Sequence, residues 1–306
     1  MDTEGKIAVL LATCNGALYL PELLASLLAQ SCRDFVILAH DDGSSDETPA
    51  LLRAFAREHP GLLRILPGTP TGSARDNFLF LLSRTEAPYY MFCDQDDIWL
   101  PDKVALTLAK MRESEQEGKP ALVFTELSVA DARGRVIREK MSEYQHLPLE
   151  AVSFRRLLIQ NVVSGCTVMI NRTLRDMALQ DIPAEDVIMH DWYLALIAAR
   201  FGTVAAVETP TILYRQHDSN SVGARDVRSL RYLLSRLRSG DVPASLAATR
   251  RQAALFARQF GEDSASLCAR YAALGRKGKL RRLRFYAAEG VRKSGWLRNL
   301  GLVWFG

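Results

Sequence analysis

No apolar run in the 306 residues approaches the ~18 that a membrane-spanning helix needs. No CxxC pair occurs, and the five cysteines (Cys14, Cys32, Cys93, Cys166 and Cys268) are odd in number and scattered. That argues against a disulfide framework and against a zinc site, and for reduced thiols in a cytoplasmic protein. The opening "MDTEGKIAVLLA" has no basic stretch ahead of its apolar run, so no signal peptide is expected. Neither a GxGxxG fingerprint nor a Gly-rich, Lys- or Arg-bearing phosphate loop follows the first apolar run. This speaks against a dinucleotide fold and against a nucleotidyltransferase making nucleotide sugars. There is no internal repeat and no low-complexity linker.

What is present is an uneven charge. The net +4 divides into 21 Lys+Arg against 30 Asp+Glu in residues 1–224, and 18 against 5 in residues 225–306. An acidic body with a basic tail predicts two units, with an anionic partner for the second. Along the body, short apolar runs alternate with helical patterns. Strands are predicted at 7–12, 35–40, 62–66, 89–93, 121–126, 165–171, 203–208 and 211–217. Helices are predicted at 20–30, 51–59, 73–84 and 190–202, the last stopped by Gly202. Continuously apolar strands separated by helices imply a mostly parallel sheet covered on both faces. In such sheets ligands bind beyond the carboxyl ends of the strands. Thr13 and Asn15, Asp41 and Asp42, and Asp94 to Asp97 all fall there.

The stretch "YYMFCDQDDIWLPDKV" (Tyr89 to Val104) runs from an apolar strand into Asp94, Asp96 and Asp97. Like charges this close repel, and each resists desolvation. Residues two apart in extended chain point the same way. Asp94 and Asp96 therefore suit a hard divalent ion such as Mg²⁺ or Mn²⁺, with water and ligand phosphates completing its shell. The alternative is a solvated acidic loop.

In order and spacing, "VLLATCNGALYLPELLASLLAQ", "FVILAHDDGSSDET" and "YYMFCDQDDIWLPDKV" resemble the family 2 glycosyltransferases, inverting enzymes of the GT-A fold. The resemblance covers roughly residues 5–220. The "CDQDDIW", "NVVSGCTVMIN", "MHDW" and "YRQHDSNSVG" stretches are similar to bacterial rhamnosyltransferases of cell-surface polysaccharide assembly. The resemblance implies a metal at Asp94 and Asp96, and a nucleotide against Thr13, Asn15, Asp41, Asp42, Asp94 and Gln95. Arg75, or Asn77 beside it, falls in the donor loop. Asp191 is the implied base, although the family usually has Glu-Asp where this chain has His190-Asp191; a helix N-cap is its other reading. His217 would add a metal or phosphate contact. Arg215 would meet the diphosphate, and Gly165 and Trp192 the acceptor; a surface ion pair, a tight turn and a core indole are the respective alternatives. "YRQH" stands where a processive enzyme has "QxxRW", which implies addition of a single sugar.

From Arg276 to Gly306, aromatic and apolar residues are interleaved with Arg and Lys. This pattern fits a helix lying on anionic lipid, or a bundle packed on the body with a solvated basic face. Nothing matches a nucleic-acid-binding module. The expectation is therefore a catalytic domain over 1–224 and a basic helical extension over 225–306. The enzyme would use dTDP-L-rhamnose or a UDP-sugar, act on a lipid-linked glycan, and sit on the cytoplasmic face of the plasma membrane. A non-catalytic partner that binds nucleotide and membrane is the rival.

Overall fold

The computed structural model describes residue 3 and residues 5–180, 186–217 and 241–305. Strand β1 (Ile7–Thr13) lies inside the sheet, parallel to β2 (Phe35–Asp41) on one side and β4 (Tyr89–Asp94) on the other. Beyond β2 runs β3 (Leu63–Ile65), also parallel. Beyond β4 come β8 (Met169–Asn171), antiparallel, then β6 (Ala121–Ala130), β9 (Thr203–Arg215) and β5 (Ile98–Trp99). The short β7 (Val136–Arg138) pairs with β6 off this path. The pairings set β1–β4, β6 and β9 in one direction and β5, β7 and β8 in the other, so the sheet is mostly parallel, as expected.

Successive side chains of a strand face opposite ways, and here each face has its own core. Val9, Leu11, Ile37, Met91 and Cys93 pack under α1 (Leu20–Leu28), α2 (Thr48–Glu58) and α4 (Lys103–Ser114). Leu10, Leu38, Tyr90 and Phe92 pack under α3 (Ala74–Ser83), α7 (Arg172–Ala178) and α8 (His190–Phe201). Two short helices, α5 (Met141–Gln145) and α6 (Phe154–Leu157), lie in the chain between β7 and β8. Doubly covered strands have no polar face, which is why the runs read as continuously apolar.

The described part of the C-terminal region is helical: α9 (Asp241–Gln259), α10 (Leu267–Ala272), α11 (Lys279–Glu289) and α12 (Trp296–Phe305). Leu246, Phe256, Tyr271 and Leu302 join the same core as Leu10 and Phe92, so these helices pack on the α/β body. Among the described residues no helix is long and apolar enough to cross a membrane.

Two expected elements differ. The strands predicted at 203–208 and 211–217 form the single β9, whose register against β6 shifts after Thr125 and again after Glu126. Pro210, which has no N–H to donate, sits at the first shift, where a bulge accommodates it. The strand predicted at 165–171 is a 3₁₀ turn, Gly165–Thr167, followed by the three residues of β8. Gly202 does stop α8: a Cβ there would stand 1.9 Å from the Pro120 carbonyl oxygen, so only glycine lets α8 end against the start of β6.

Candidate active site

The ends of β1, β2 and β4 are in register. Thr13 stands opposite Asp41, and Ala12 opposite Asp94. The loops leaving them are built by the polar residues singled out above. Thr13 Oγ1 donates to Asp41 Oδ1 at 2.9 Å, and the Asp41 carboxylate also accepts from the Ser44 amide (2.9 Å) and hydroxyl (2.6 Å). Asn15 takes a left-handed conformation (φ 50°), tolerated best by Asn and Asp after Gly. Its amide donates to Ser44 Oγ at 2.7 Å, and its Oδ1 accepts from the Ser45 amide at 2.9 Å. Gln95 reaches back to β1. Its Oε1 accepts from the Cys14 amide and its Nε2 donates to the Cys14 carbonyl, both at 2.8 Å. Asp42 accepts from the Thr71 amide, from Thr71 Oγ1 (2.9 Å) and from the Gly72 amide (3.0 Å). Arg75 is bound by Asp76 and donates to the Val187 carbonyl at 2.8 Å. Asn77 is buried against His40, with its Oδ1 2.9 Å from Nδ1 and its Nδ2 on the His40 carbonyl, so it faces the core and not a ligand.

The acidic cluster is crowded. Asp94 is half-buried at the end of β4; burial first, then the charges of Asp96 and Asp191, raise its pKa to about 7. Asp97 is fully buried and pushed well above the carboxylate range by burial and by Asp96 and Asp94. Its Oδ1 accepts from the Arg215 amide at 3.3 Å. Asp94, Asp97 and Cys166 hold potential ligand atoms within 4.8 Å of one another. Beneath lies Lys103, wholly buried over the Trp99 ring at 4.6 Å, its pKa brought down to about 8 by burial. Asp96 Oδ2 is 2.8 Å from His217 Nε2. These two residues are far apart in sequence, and the fold brings them together. The carboxylate oxygens of Asp94 and Asp96 and the imidazole of His217 are donors of the kind Mg²⁺ or Mn²⁺ takes, whereas the Cys166 thiol beside them is softer than those ions favour.

Arg215 is 2% exposed. Its Nε donates to the Asp96 carbonyl (2.8 Å), Nη1 to the Ala132 carbonyl (3.1 Å) and Nη2 to Glu22 (2.7 Å). It thus fixes the backbone that presents Asp96. Tyr19 stacks on His217 at 4.7 Å and lies 4.8 Å from the Arg215 guanidinium. No local spacing in the sequence relates Tyr19 or Glu22 to residues almost two hundred positions away.

Asp191 is in the first turn of α8 and buried, and burial raises its pKa to about 7. Its Oδ1 accepts from the Trp192 amide at 2.6 Å, and its Oδ2 from Asn161 Nδ2 at 3.3 Å. Gly165 lies against Asp191, and the next residue, Cys166, lies against Asp94 and Asp97, so one turn separates the acid from the cluster. Asn161 was not visible from sequence. His190 packs between Phe78 and Phe92 at 4.5 and 4.8 Å, and burial holds it neutral, with a pKa of about 3. A Cβ on Gly165 would lie 3.0 Å from His190 Nε2 and 3.7 Å from Asp191 Cβ, so this turn needs a small residue beside the acid. Trp192 donates from Nε1 to the Leu157 carbonyl at 2.6 Å and packs on the core. A cavity of about 920 Å³ lined by Glu86, Tyr89, Glu115 and Arg172 opens where β4 begins, away from these carboxylates.

Residues 8–174 match the model of glycosyl transferase family 2. The dTDP-rhamnosyl transferase RfbG of Shigella flexneri is 30% identical over 226 residues, spanning 70% of this chain and 74% of that protein. A Mycobacterium tuberculosis protein is 29% identical over 202 residues, and there the chain spans 55% of the relative. Among solved structures, S. aureus TarS 1–349 in complex with UDP-GlcNAc superposes with a TM-score of 0.55 at 18% identity, covering 93% of this chain and 87% of that one. The mannosyltransferase PcManGT of Pyrobaculum calidifontis, in complex with GDP-Man and Mn²⁺, gives 0.53 at 17% identity, covering 97% and 83%. The chain belongs to glycosyl transferase family 2 and is a glycosyltransferase of the GT-A fold.

Proposed function

We propose that the chain adds one L-rhamnose from dTDP-L-rhamnose, with inversion, to a lipid-linked glycan on the cytoplasmic face of a bacterial membrane. The observation that carries the reaction type is the turn at Gly165 and Cys166, which has Asp191 on one side and the acidic cluster on the other. An inverting displacement needs a base on the acceptor side and charge stabilisation on the leaving-group side. The Asp191 carboxylate takes the proton of the acceptor hydroxyl as its oxygen bonds to the anomeric carbon. The bond from that carbon to the diphosphate oxygen breaks with its electron pair on the nucleotide. Burial keeps the proton affinity of Asp191 near neutrality, suited to this transfer. Gly165 leaves room beside it, and Asn161 orients it. Asp94, Asp96 and His217 would hold the divalent ion, which when bound offsets the diphosphate charge. Arg215 and Tyr19 keep Asp96 and His217 in place. The sequence likeness to the Shigella flexneri dTDP-rhamnosyl transferase supports rhamnose.

Calorimetric titration of dTDP and of UDP, with and without Mn²⁺, into wild type and Asp96→Ala tests this reading. Metal-dependent dTDP binding that the substitution abolishes is expected. A preference for UDP keeps the enzyme class and moves the donor to a UDP-hexose or UDP-N-acetylhexosamine. Absence of metal-dependent binding of either nucleotide overturns the site.

A further inference from the structure

We infer that the corner formed by α12 and the first turn of α11 is a docking surface for an anionic lipid bilayer. This deepens the reading of the acceptor as lipid-linked and rests on it for its purpose, though not for its geometry. On α12, Trp296, Leu300, Val303 and Trp304 are exposed, the two indoles at 71% each. Their spacing of four, three and one puts them on one helix face. Leu302, on the opposite side, is buried in the core. The Lys279 ammonium lies 5.4 Å from the centre of the Trp304 ring, which joins α11 to this stripe and brings in Leu280, 74% exposed. Of the nine large hydrophobic side chains exposed among the described residues, five are in this corner.

The charge around them has one sign. Residues 276–305 contain nine Lys and Arg and a single acid, Glu289. Glu289 is bound by Arg155 and Arg270. Arg276, Lys277, Lys279, Arg281 and Arg284 are exposed. A merely solvated basic face accounts for the cations but leaves two indoles in water. A bilayer surface accounts for both, with Trp at headgroup depth and cations on lipid phosphates. The exposed apolar side chains of α12 lie along one face while Leu302 is buried on the other, a pattern suited to a helix lying along the surface.

The corner is fixed to the catalytic body. Arg298 donates to the carbonyls of Gln145 (2.6 Å) and His146 (3.0 Å), and the Ser294 amide to Gln160 Oε1 (2.6 Å). The next residue, Asn161, holds Asp191. The docking face and the catalytic base therefore share one segment, and a bilayer seated on α12 is held at a set place relative to the base.

The test is sedimentation of the full chain with vesicles of phosphatidylcholine alone and of phosphatidylcholine with phosphatidylglycerol, at rising salt, with tryptophan emission as a second readout. Wild type should bind the anionic vesicles, blue-shift, and release with salt. Trp296→Ser/Trp304→Ser should weaken binding by more than about tenfold. Each of Lys277→Gln, Lys279→Gln and Arg281→Gln should weaken it by about fivefold. All these side chains are exposed, and unchanged urea midpoints will show that the variants fold. No binding to anionic vesicles overturns the inference. So does equal, salt-insensitive binding to both vesicle types, or a solution dimer that the double Trp variant dissociates. Metal-dependent nucleotide binding, measured on the same samples, separates the two readings. If it persists while vesicle binding fails, only the docking surface falls; the reverse outcome removes the proposed reaction and leaves the surface standing.

Discussion

Gly16→Ala should change the sign of its effect with the identity of residue 95. A Cβ on Gly16 would lie 2.2 Å from Gln95 Oε1 and 2.4 Å from Cδ. The half-exposed Gln95 side chain can swing away, but only by releasing both of its bonds to the Cys14 backbone. A hydrogen bond contributes about 0.5–1.5 kcal/mol net, and these are exposed, so water replaces them and the pair is worth about 1–2 kcal/mol. Replacing glycine by alanine returns about 0.4–1 kcal/mol by restricting the unfolded chain. In the wild-type background the substitution should therefore destabilise by about 0.5–1 kcal/mol. In a Gln95→Ala background the obstructing atoms are gone, and the same substitution should be neutral or stabilising. Urea unfolding of the four proteins of this cycle should give a coupling of about 1–2 kcal/mol. Equal destabilisation by Gly16→Ala in both backgrounds would refute the clamp.

Asp191→Asn should lower turnover by about 10²–10⁴-fold in a donor-saturated transfer assay while leaving calorimetric nucleotide binding intact. Because Asp191 must be ionised to accept a proton and its pKa is about 7, wild-type kcat/KM should rise with pH through neutrality and then level off. The Asn161 bond favours the ionised form, so Asn161→Ala should move that limb to higher pH. The same raised pKa makes the folded chain hold a proton that the unfolded chain, near 3.8, has lost. That stabilisation is complete below pH 3.8 and lost as pH rises through 7, so urea midpoints of Asp191→Asn should fall less between those values than those of wild type. Gly202→Ala puts a methyl group into the backbone of Pro120 and against its bond from the Thr203 amide, so it should cost about 3 kcal/mol, the upper end for overpacking, by the same assay.

The strands and the three loops at their ends were legible because each apolar run stops at turn residues, a signal that needs no long-range information. The doubly covered core explains why those runs do not alternate. The two- and three-residue strands β5 and β7 are too short to show a period, whereas β8 was read together with the turn at Gly165 as one strand because the turn's residues are small and apolar. The acids could be named, but their neighbours could not. Asn161 beside Asp191, and Tyr19 and Glu22 around Arg215, are brought together only by tertiary packing. Asn77 shows the converse error: a polar residue near the donor loop turned out to serve His40 in the interior. In the basic tail both the packed and the exposed face exist, and composition alone cannot divide them.

The long β9 begins where α8 ends, and α8 carries Asp191 in its first turn. Asp191, the proposed base, and Arg215, which holds the Asp96 backbone, thus stand at opposite ends of one helix–strand unit, with the register shifts near Pro210 between them. Parity makes this spacer sensitive: one residue removed there turns Arg215, the last residue of β9, to the opposite face, away from Glu22 and the Asp96 carbonyl, while two removed restore its side. Insertions and deletions in this segment are therefore read as odd or even before they are read as long or short.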